Sequence, residues 1–256
     1  MILGEEIGRG GFGTVYELKD DKSKAVKISS KDSGTNCRKW SDEFAKINDI
    51  CMHKMPKLKY VSILQPDEFI EKEGLCYMIL PRIFRHDCKI KNVTSATSPQ
   101  SCKNNPTIHP LLGQQEGKMI FKGRGEFIGF KEVSEIVGPQ YDLMNVCYEL
   151  GIMMASIHFI GKNDAYDIEV FLGRKYRDKN LRFYIADFDL SEKVPDDISE
   201  DIIERLKWSI EAVPYFPNEF VDMKYFEQFK KGYHSVISKL EGYKNNLLPI
   251  YDEIFS

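Results

Sequence analysis

Residues 8–15 read Gly8-Arg9-Gly10-Gly11-Phe12-Gly13-Thr14-Val15, a G-x-G-x-x-G-x-V pattern. Glycines so spaced carry no Cβ, and backbone N–H groups can close on phosphate oxygens. A dinucleotide-binding turn shares the spacing, but it needs a helix directly after the glycines and an acidic residue about 20 positions on. Here Thr14-Val15-Tyr16-Glu17-Leu18 is β-branched and aromatic, so the chain continues as a strand and the glycines tip a hairpin. A plain glycine-turn hairpin is the simplest account, and the residues that follow argue for more. Lys27 lies at hairpin spacing after the loop, between apolar neighbours in Ala25-Val26-Lys27-Ile28. Glu43 stands three residues after Trp40 and four before Ile47, on the inward stripe of a helix, where a charge needs a partner. Asp42 is off that stripe. Lys27–Glu43 is the expected ion pair.

The elements that must position these groups are legible as patterns. Residues 2–8, 13–19 and 24–29 read as strands, residues 38–51 as a helix through Trp40, Phe44, Ile47 and Cys51, and residues 58–63 and 74–80 as two more strands. Pro81 marks a boundary. Residues 85–117 hold Ser, Asn, Lys, Cys and Pro without sustained periodicity and read as a long loop or insertion. An apolar helix spans 141–160, a loop–strand–strand region runs to Leu190, and amphipathic helices near 197–212 and 222–242 close the chain. The organisation predicted is α+β and bilobal: a small β-rich first lobe with one helix (residues 1–82) and a larger, mainly helical second lobe (residues 83–256).

Composition sets outer limits. The 256 residues carry 36 basic and 39 acidic side chains, a net charge of −3, which gives no global pull toward nucleic acid or an anionic membrane. No apolar run is expected to reach the ~18 residues of a membrane helix, and Met1-Ile2-Leu3-Gly4-Glu5-Glu6 does not begin an ordinary signal peptide. The cysteines (Cys37, Cys51, Cys76, Cys88, Cys102, Cys147) form no C-x-x-C pair, so free thiols in a reducing compartment, cytoplasmic or reached by delivery into a cytosol, are the expectation.

Glycine loop, Ala25-Val26-Lys27-Ile28 and a helical glutamate, in that order, resemble the first lobe of a eukaryotic-type protein kinase. The resemblance implies that Gly8, Gly10, Gly13 and Val15 cover a nucleotide, that Lys27 held by Glu43 orients its phosphates, and that adenine sits by Tyr77-Met78-Ile79-Leu80-Pro81-Arg82, at Leu80 and Arg82. It also implies ATP and Mg²⁺ or Mn²⁺ as cofactors. In the second lobe, Phe183-Tyr184-Ile185-Ala186-Asp187-Phe188-Asp189 is similar to the strand and D-F-G element, with Asp187 as a metal ligand and Asp189, in place of glycine, as a possible second. The H-R-D-L-x-x-x-N loop is degenerate. In one register Asp164 is the catalytic aspartate and Glu169 the metal ligand; in the other Asp167 is catalytic, and Leu172 falls where a ligand is required. The first is preferred because leucine cannot bind metal. The arginine before the aspartate is missing, Tyr166 stands where a phosphate-contacting lysine is common, and Lys162 and Arg174 are the candidates to compensate. No A-P-E follows. Four carboxylates (Asp164, Glu169, Asp187, Asp189) at one site would repel one another unless a cation neutralised them.

Asp164-Ala165-Tyr166-Asp167-Ile168-Glu169-Val170-Phe171-Leu172-Gly173 also resembles the D-A-R-D-V-E-F-V-L-G segment of an uncharacterised kinase-like family found mainly in filamentous fungi, often labelled "zinc finger protein". Asp187-Phe188-Asp189, Ala212-Val213-Pro214-Tyr215-Phe216-Pro217 and Gly123-Arg124-Gly125-Glu126-Phe127 follow the order of its other motifs. Cys88, Cys102 and His109 lack structural-zinc spacing. His158 reads as a packed or capping histidine, and Tyr215 between prolines as a core anchor. The implied activity is an atypical protein kinase with a protein hydroxyl as acceptor. A nucleotide-binding pseudokinase or scaffold, and a small-molecule kinase or nucleotidylating enzyme on the same fold, are the alternatives.

Overall fold

The computed structural model describes residues 1–9, 13–29, 34–53, 55–85, 108–116, 118–121, 125–139, 141–212 and 214–256. Gly10, Cys88, Cys102, Gly123, Arg124, Val213 and most of the 85–117 segment lie outside the described residues.

Five strands form the first sheet, in the order β1-β2-β3-β6-β5: β1 (Leu3–Arg9), β2 (Gly13–Leu18), β3 (Lys24–Ser29), β6 (Leu75–Pro81) and β5 (Glu68–Lys72). All pairings are antiparallel. The hairpin at the glycines is in register, with Gly8 opposite Val15 and Arg9 opposite Thr14. Helix α1 (Gly34–Met52) crosses one face of the sheet. Its inward stripe is Trp40, Glu43, Ile47 and Ile50, all buried, at spacings of three and four. Trp40 packs with Cys37, Cys76 and Met78, while Leu18, Val26 and Ile79 form a smaller cluster of their own. Gly13 is required by this packing: a Cβ there would meet the Ile28 carbonyl and the Trp40 ring.

Cys37 on α1 and Cys76 on β6 are joined as a disulfide, their Cα atoms 5.4 Å apart. The expectation of free thiols is corrected for this pair: residues 39 apart in sequence meet because α1 lies over β6. Cys51 and Cys147 are free.

A second sheet runs β4 (Val61–Ile63), β12 (Arg182–Ala186), β11 (Glu169–Lys175), β8 (Ile108–Leu111), β10 (Gly125–Gly129) and β9 (Lys118–Phe121), with β7 (Ile83–Phe84) also on β11. Strands β8 to β10 were not legible in the sequence, and β8 falls within the segment expected to be loop. Pro110 in its centre argues against a strand, yet all four of its residues are buried. Strand β5 was also missed. Its polar Glu68-Phe69-Ile70-Glu71-Lys72 is an edge strand, turned onto β6 by Glu73 and Gly74 at φ of 54° and 75°.

Helices α2 (Phe130–Val137), α3 (Leu143–Ala155), α4 (Glu200–Glu211), α5 (Met223–Ile237) and α6 (Leu248–Ile254) supply the larger part of the core. Helix α3 continues through a widened turn at Ser156–Ile160. The combined stretch Leu143–Ile160 is, at 18 residues, long and apolar enough to cross a membrane, contrary to expectation, but 67% of it is buried inside the fold. It packs on α5 through facing glycines: a Cβ on Gly151 would meet the Phe229 carbonyl, and one on Gly232 the Tyr148 carbonyl. From α3, Glu149 also accepts hydrogen bonds from the N–H groups of Lys59, Tyr60 and Val61 at 3.1, 2.6 and 3.1 Å. That ties the helix to β4, which pairs with β12, whose last residue precedes Asp187.

Because backbone faces backbone at the crossing, Gly232→Ala is expected to lower the unfolding free energy by about 1–3 kcal/mol by overpacking, despite alanine's better helix propensity. Urea denaturation measures this, and an unchanged midpoint would refute the close approach of α3 and α5.

Candidate functional site

Strand alternation turns Lys27 toward α1. Its Nζ lies 4.9 Å from the centre of the Trp40 ring, 3.7 Å from Glu43 Oε2 and 3.4 Å from Asp187 Oδ1. Three elements distant in sequence therefore converge on one ammonium: β3, the middle of α1 and the loop after β12. The Lys27 side chain is 21% exposed, Glu43 4% and Asp187 36%, so the group is open to solvent on the Asp187 side and buried on the Glu43 side. Burial alone would pull the lysine pKa down, but Asp187, Glu43 and Asp189 outweigh it and raise it above the ordinary value. Burial pushes Glu43 up to about 7, with Lys27 opposing and Asp187 and Asp189 adding to the rise. Burial, then the negative charge of Asp187, likewise raises Asp189 and Asp167. The cluster holds more negative charge than Lys27 neutralises.

Backbone strain collects at the same place. Lys162, Ala165, Asp167 and Asp187 all have positive φ (51°, 52°, 58° and 63°) without being glycine. Such residues persist only where the surroundings over-determine them, and they gather at functional sites.

Asp164 does not join the cluster. It is 1% exposed, and both carboxylate oxygens are engaged. Oδ1 accepts from the N–H groups of Tyr166 and Glu192 at 3.1 and 2.8 Å, and Oδ2 accepts from Arg205 Nε at 2.7 Å and pairs with Nη2 at 2.6 Å. Both oxygens thus tie Asp164 to Arg205 and to the loop backbone. Asp167, three residues on, is exposed and within electrostatic reach of Asp187. Asn163 helps to set the turn: its Oδ1 accepts from Ala165 N at 2.9 Å and its Nδ2 donates to Ser191 Oγ at 3.1 Å.

The remaining candidates fall as follows. Gly8 and Val15 face each other on the β1–β2 hairpin, and Val15 is also paired with Lys27. Leu80 packs with the Trp40 cluster. The Arg82 backbone N–H donates to Ser23 O at 2.8 Å, and its guanidinium pairs through Nη1 with Glu17 Oε2 at 2.7 Å. Glu169 begins β11 and, with Asp167 and Asp187, bears on the buried Tyr215 hydroxyl, whose pKa is raised first by burial. Tyr166 stacks on Trp208 at 4.6 Å under the Arg205 guanidinium, and Lys162 pairs with the exposed Asp196 at 3.1 Å. His109 is buried in β8 against Phe127 at 4.3 Å.

Two residues that sequence reasoning passed over hold this geometry. Arg205 answers the buried Asp164 from 41 residues away, a pairing no local spacing reveals. Lys46 donates from α1 to the carbonyls of Phe188, Asp189 and Ser191. Its signal was present, three residues after Glu43 on the same helix face.

Among the described residues no group of three or more His, Cys, Asp or Glu side chains is gathered closely enough to hold a metal by itself. The donors near Asp187 are hard oxygens. Carboxylate oxygens are the kind of ligand that Mg²⁺ takes, one or two from the protein where phosphates supply the rest.

No family model and no curated protein matches the chain. Among solved structures, the crystal structure of a kinase domain matches with a TM-score of 0.46 at 11% identity, over 84% of this chain and 64% of that one, so the chain spans less than two thirds of that domain. The architecture itself is α+β: a β-rich first sheet carrying one helix, then a part rich in helices. This is the α+β arrangement that the sequence predicts.

Two outcomes test the scaffold under the loop. Arg205→Met leaves Asp164 buried and uncompensated, and is expected to cost about 2–3 kcal/mol, the lower end for a broken buried pair because Arg205 is partly solvated. His158 lies beneath the same loop, fully buried. Ser209 Oγ already donates to Leu206 O, so it accepts from His158 Nε2–H at 3.2 Å, which leaves Nδ1 to accept from the Tyr233 hydroxyl at 2.7 Å. Burial pulls its pKa from 6.5 down to about 3. The unfolded imidazole takes up a proton below its own pKa while the folded one stays neutral. This contribution is therefore complete above the unfolded pKa and falls by about 1.4 kcal/mol per pH unit toward the folded one. His158→Gln is expected to flatten that acid limb, read as urea midpoint against pH, and an unaltered limb would contradict the assignment.

Proposed function

We propose that the chain is an ATP- and divalent-metal-dependent phosphotransferase, an atypical protein kinase whose acceptor is a protein hydroxyl. The observation that carries this reading is the placement of Lys27 behind the glycine hairpin, between Glu43 and Asp187. Lys27 would orient the nucleotide phosphates, with Glu43 holding it against its own conformational freedom. Asp187, with Glu169 or Asp189, would hold Mg²⁺ or Mn²⁺, and the metal would supply neutralisation of charge on the phosphate oxygens. Asp167, rather than Asp164, would orient the acceptor hydroxyl and accept its proton as the new O–P bond forms and the bond to the ADP leaving group breaks. Such chemistry needs mainly positioning and charge neutralisation, so this small set of groups suffices in principle. Leu80 and the strand leading to Arg82 would border the adenine.

One observation favours a second reading. The locked Asp164 and the altered loop around it suit a pseudokinase that keeps nucleotide without turnover. Nucleotidylation or a small-molecule acceptor would use the same cleft.

A single set of incubations separates these readings. The protein is given ATP labelled at the γ- or the α-phosphate, with Mg²⁺ or Mn²⁺, beside Lys27→Ala, Asp187→Ala and Asp167→Asn. The expected outcome is γ-label on protein, abolished in the first two variants and reduced about 10²–10⁴-fold in the third, the usual worth of a positioned general base. α-Label would indicate nucleotidylation, and thermal stabilisation by ATP without any turnover the pseudokinase. No nucleotide binding with either metal would sink every version.

A further inference from the structure

Lys46 is a group that neither the glycine loop nor the carboxylate cluster calls for. It lies one helical turn beyond Glu43, part-buried, and its ammonium donates to three main-chain carbonyls of one short turn: Ser191 O at 2.5 Å, Asp189 O at 3.1 Å and Phe188 O at 3.4 Å. Other groups close the same turn. Ser191 Oγ donates to Phe188 O at 2.8 Å and accepts from Asn163 Nδ2 at 3.1 Å. Asp187 immediately precedes the turn and holds φ at 63°. A non-glycine residue keeps that conformation only where neighbouring contacts enforce it.

We propose that Lys46 is a positioning residue: it clasps the 188–191 turn to α1 and thereby fixes Asp187 with its carboxylate toward Lys27 and the opening. This rests on Asp187 being the metal-facing carboxylate. Helix α1 is then tied to the loop twice, by different chemistry. Glu43 acts through Lys27 on the Asp187 side chain, whereas Lys46 acts on the backbone behind it. A cation arriving with phosphates draws on the Asp187 carboxylate and so weakens the first tie. The second is untouched, because carbonyls 188, 189 and 191 carry no part of that exchange. The clasp keeps α1 and the loop in one relation while Asp187 changes partners. Charge-assisted bonds of this kind are among the stronger hydrogen bonds, and three on one ammonium use all its donors.

The test compares wild type, Lys46→Met and Lys46→Arg, with Lys46→Gln as a second neutral variant should the methionine protein not fold. Amide hydrogen exchange over 187–194 is read in ligand-free protein, and affinity for a non-hydrolysable ATP analogue is measured with EDTA and with Mg²⁺. In the neutral variants, exchange is expected to quicken in this segment and not across the rest of the core. Affinity in EDTA stays as in wild type, while the gain conferred by Mg²⁺ shrinks about ten- to hundredfold, as when an outer partner of a metal ligand is lost. Arginine restores part of it. Unchanged exchange overturns the clasp. Faster exchange with an intact Mg²⁺ gain, or an equal loss with and without metal, overturns the positioning role. Wild type that binds no analogue overturns the nucleotide reading, and it is told apart from failure of the clasp because exchange is read without ligand.

Discussion

One ammonium shared among carboxylates is the constraint on which the rest of this structure depends. Lys27 meets Asp187 at 3.4 Å and Glu43 at 3.7 Å, with Asp189 near enough to shift it. Removing several charges from water costs several kcal/mol per ion, and only close opposite charge and hydrogen bonds offset it. The three elements that bring these groups together therefore have little freedom to separate. Were α1 to withdraw, Glu43 would take a buried charge away from its counter-ion. A flip of the loop after β12 would do the same to Asp187.

The scaffold beneath serves that meeting point. Trp40 lies under Lys27, and it fits there because Gly13 has no side chain to displace it. Glu149 fastens α3 to β4, and β4 pairs with the strand that ends at Ala186. Asp164 and Asn163 spend their polar atoms on holding the loop, so that the strained Asp167 is presented from a rigid base. In this chain Asp164 is buried within that loop and Asp167 is exposed on it.

How much of this was legible follows from what each signal depends on. The hairpin, the Lys27 strand and the Glu43 stripe are local patterns of period two or period 3.6, and each takes the expected form. Strands β8 to β10 were not legible, because β8 contains Pro110 and is buried through pairing with segments far away in sequence. The anchoring of Asp164 is hidden for a similar reason. Counting forward to an oxygen ligand favours Asp164 over Asp167, and counting cannot see that Arg205 reaches back to pair with Asp164. The Cys37–Cys76 pairing likewise depends on where α1 lies over β6, which spacing alone does not encode.

The charge balance gives the cluster a direction. The pKa values of Glu43, Asp189 and Asp167 are raised first by burial and then by the negative charge of Asp187, so each acid is costly to keep ionised beside the others. A site selected only for stability would replace one of these acids or add a second cation. The second cation is present, at Lys46, but its ammonium is committed to three carbonyls, so it shapes the loop more than it cancels the carboxylates. Strain in the two loops points the same way, since four non-glycine residues are held at positive φ beside the unbalanced charge. Both burdens fall on the groups around Lys27, and Lys27 itself sits on the strand paired with the glycine hairpin, opposite Val15.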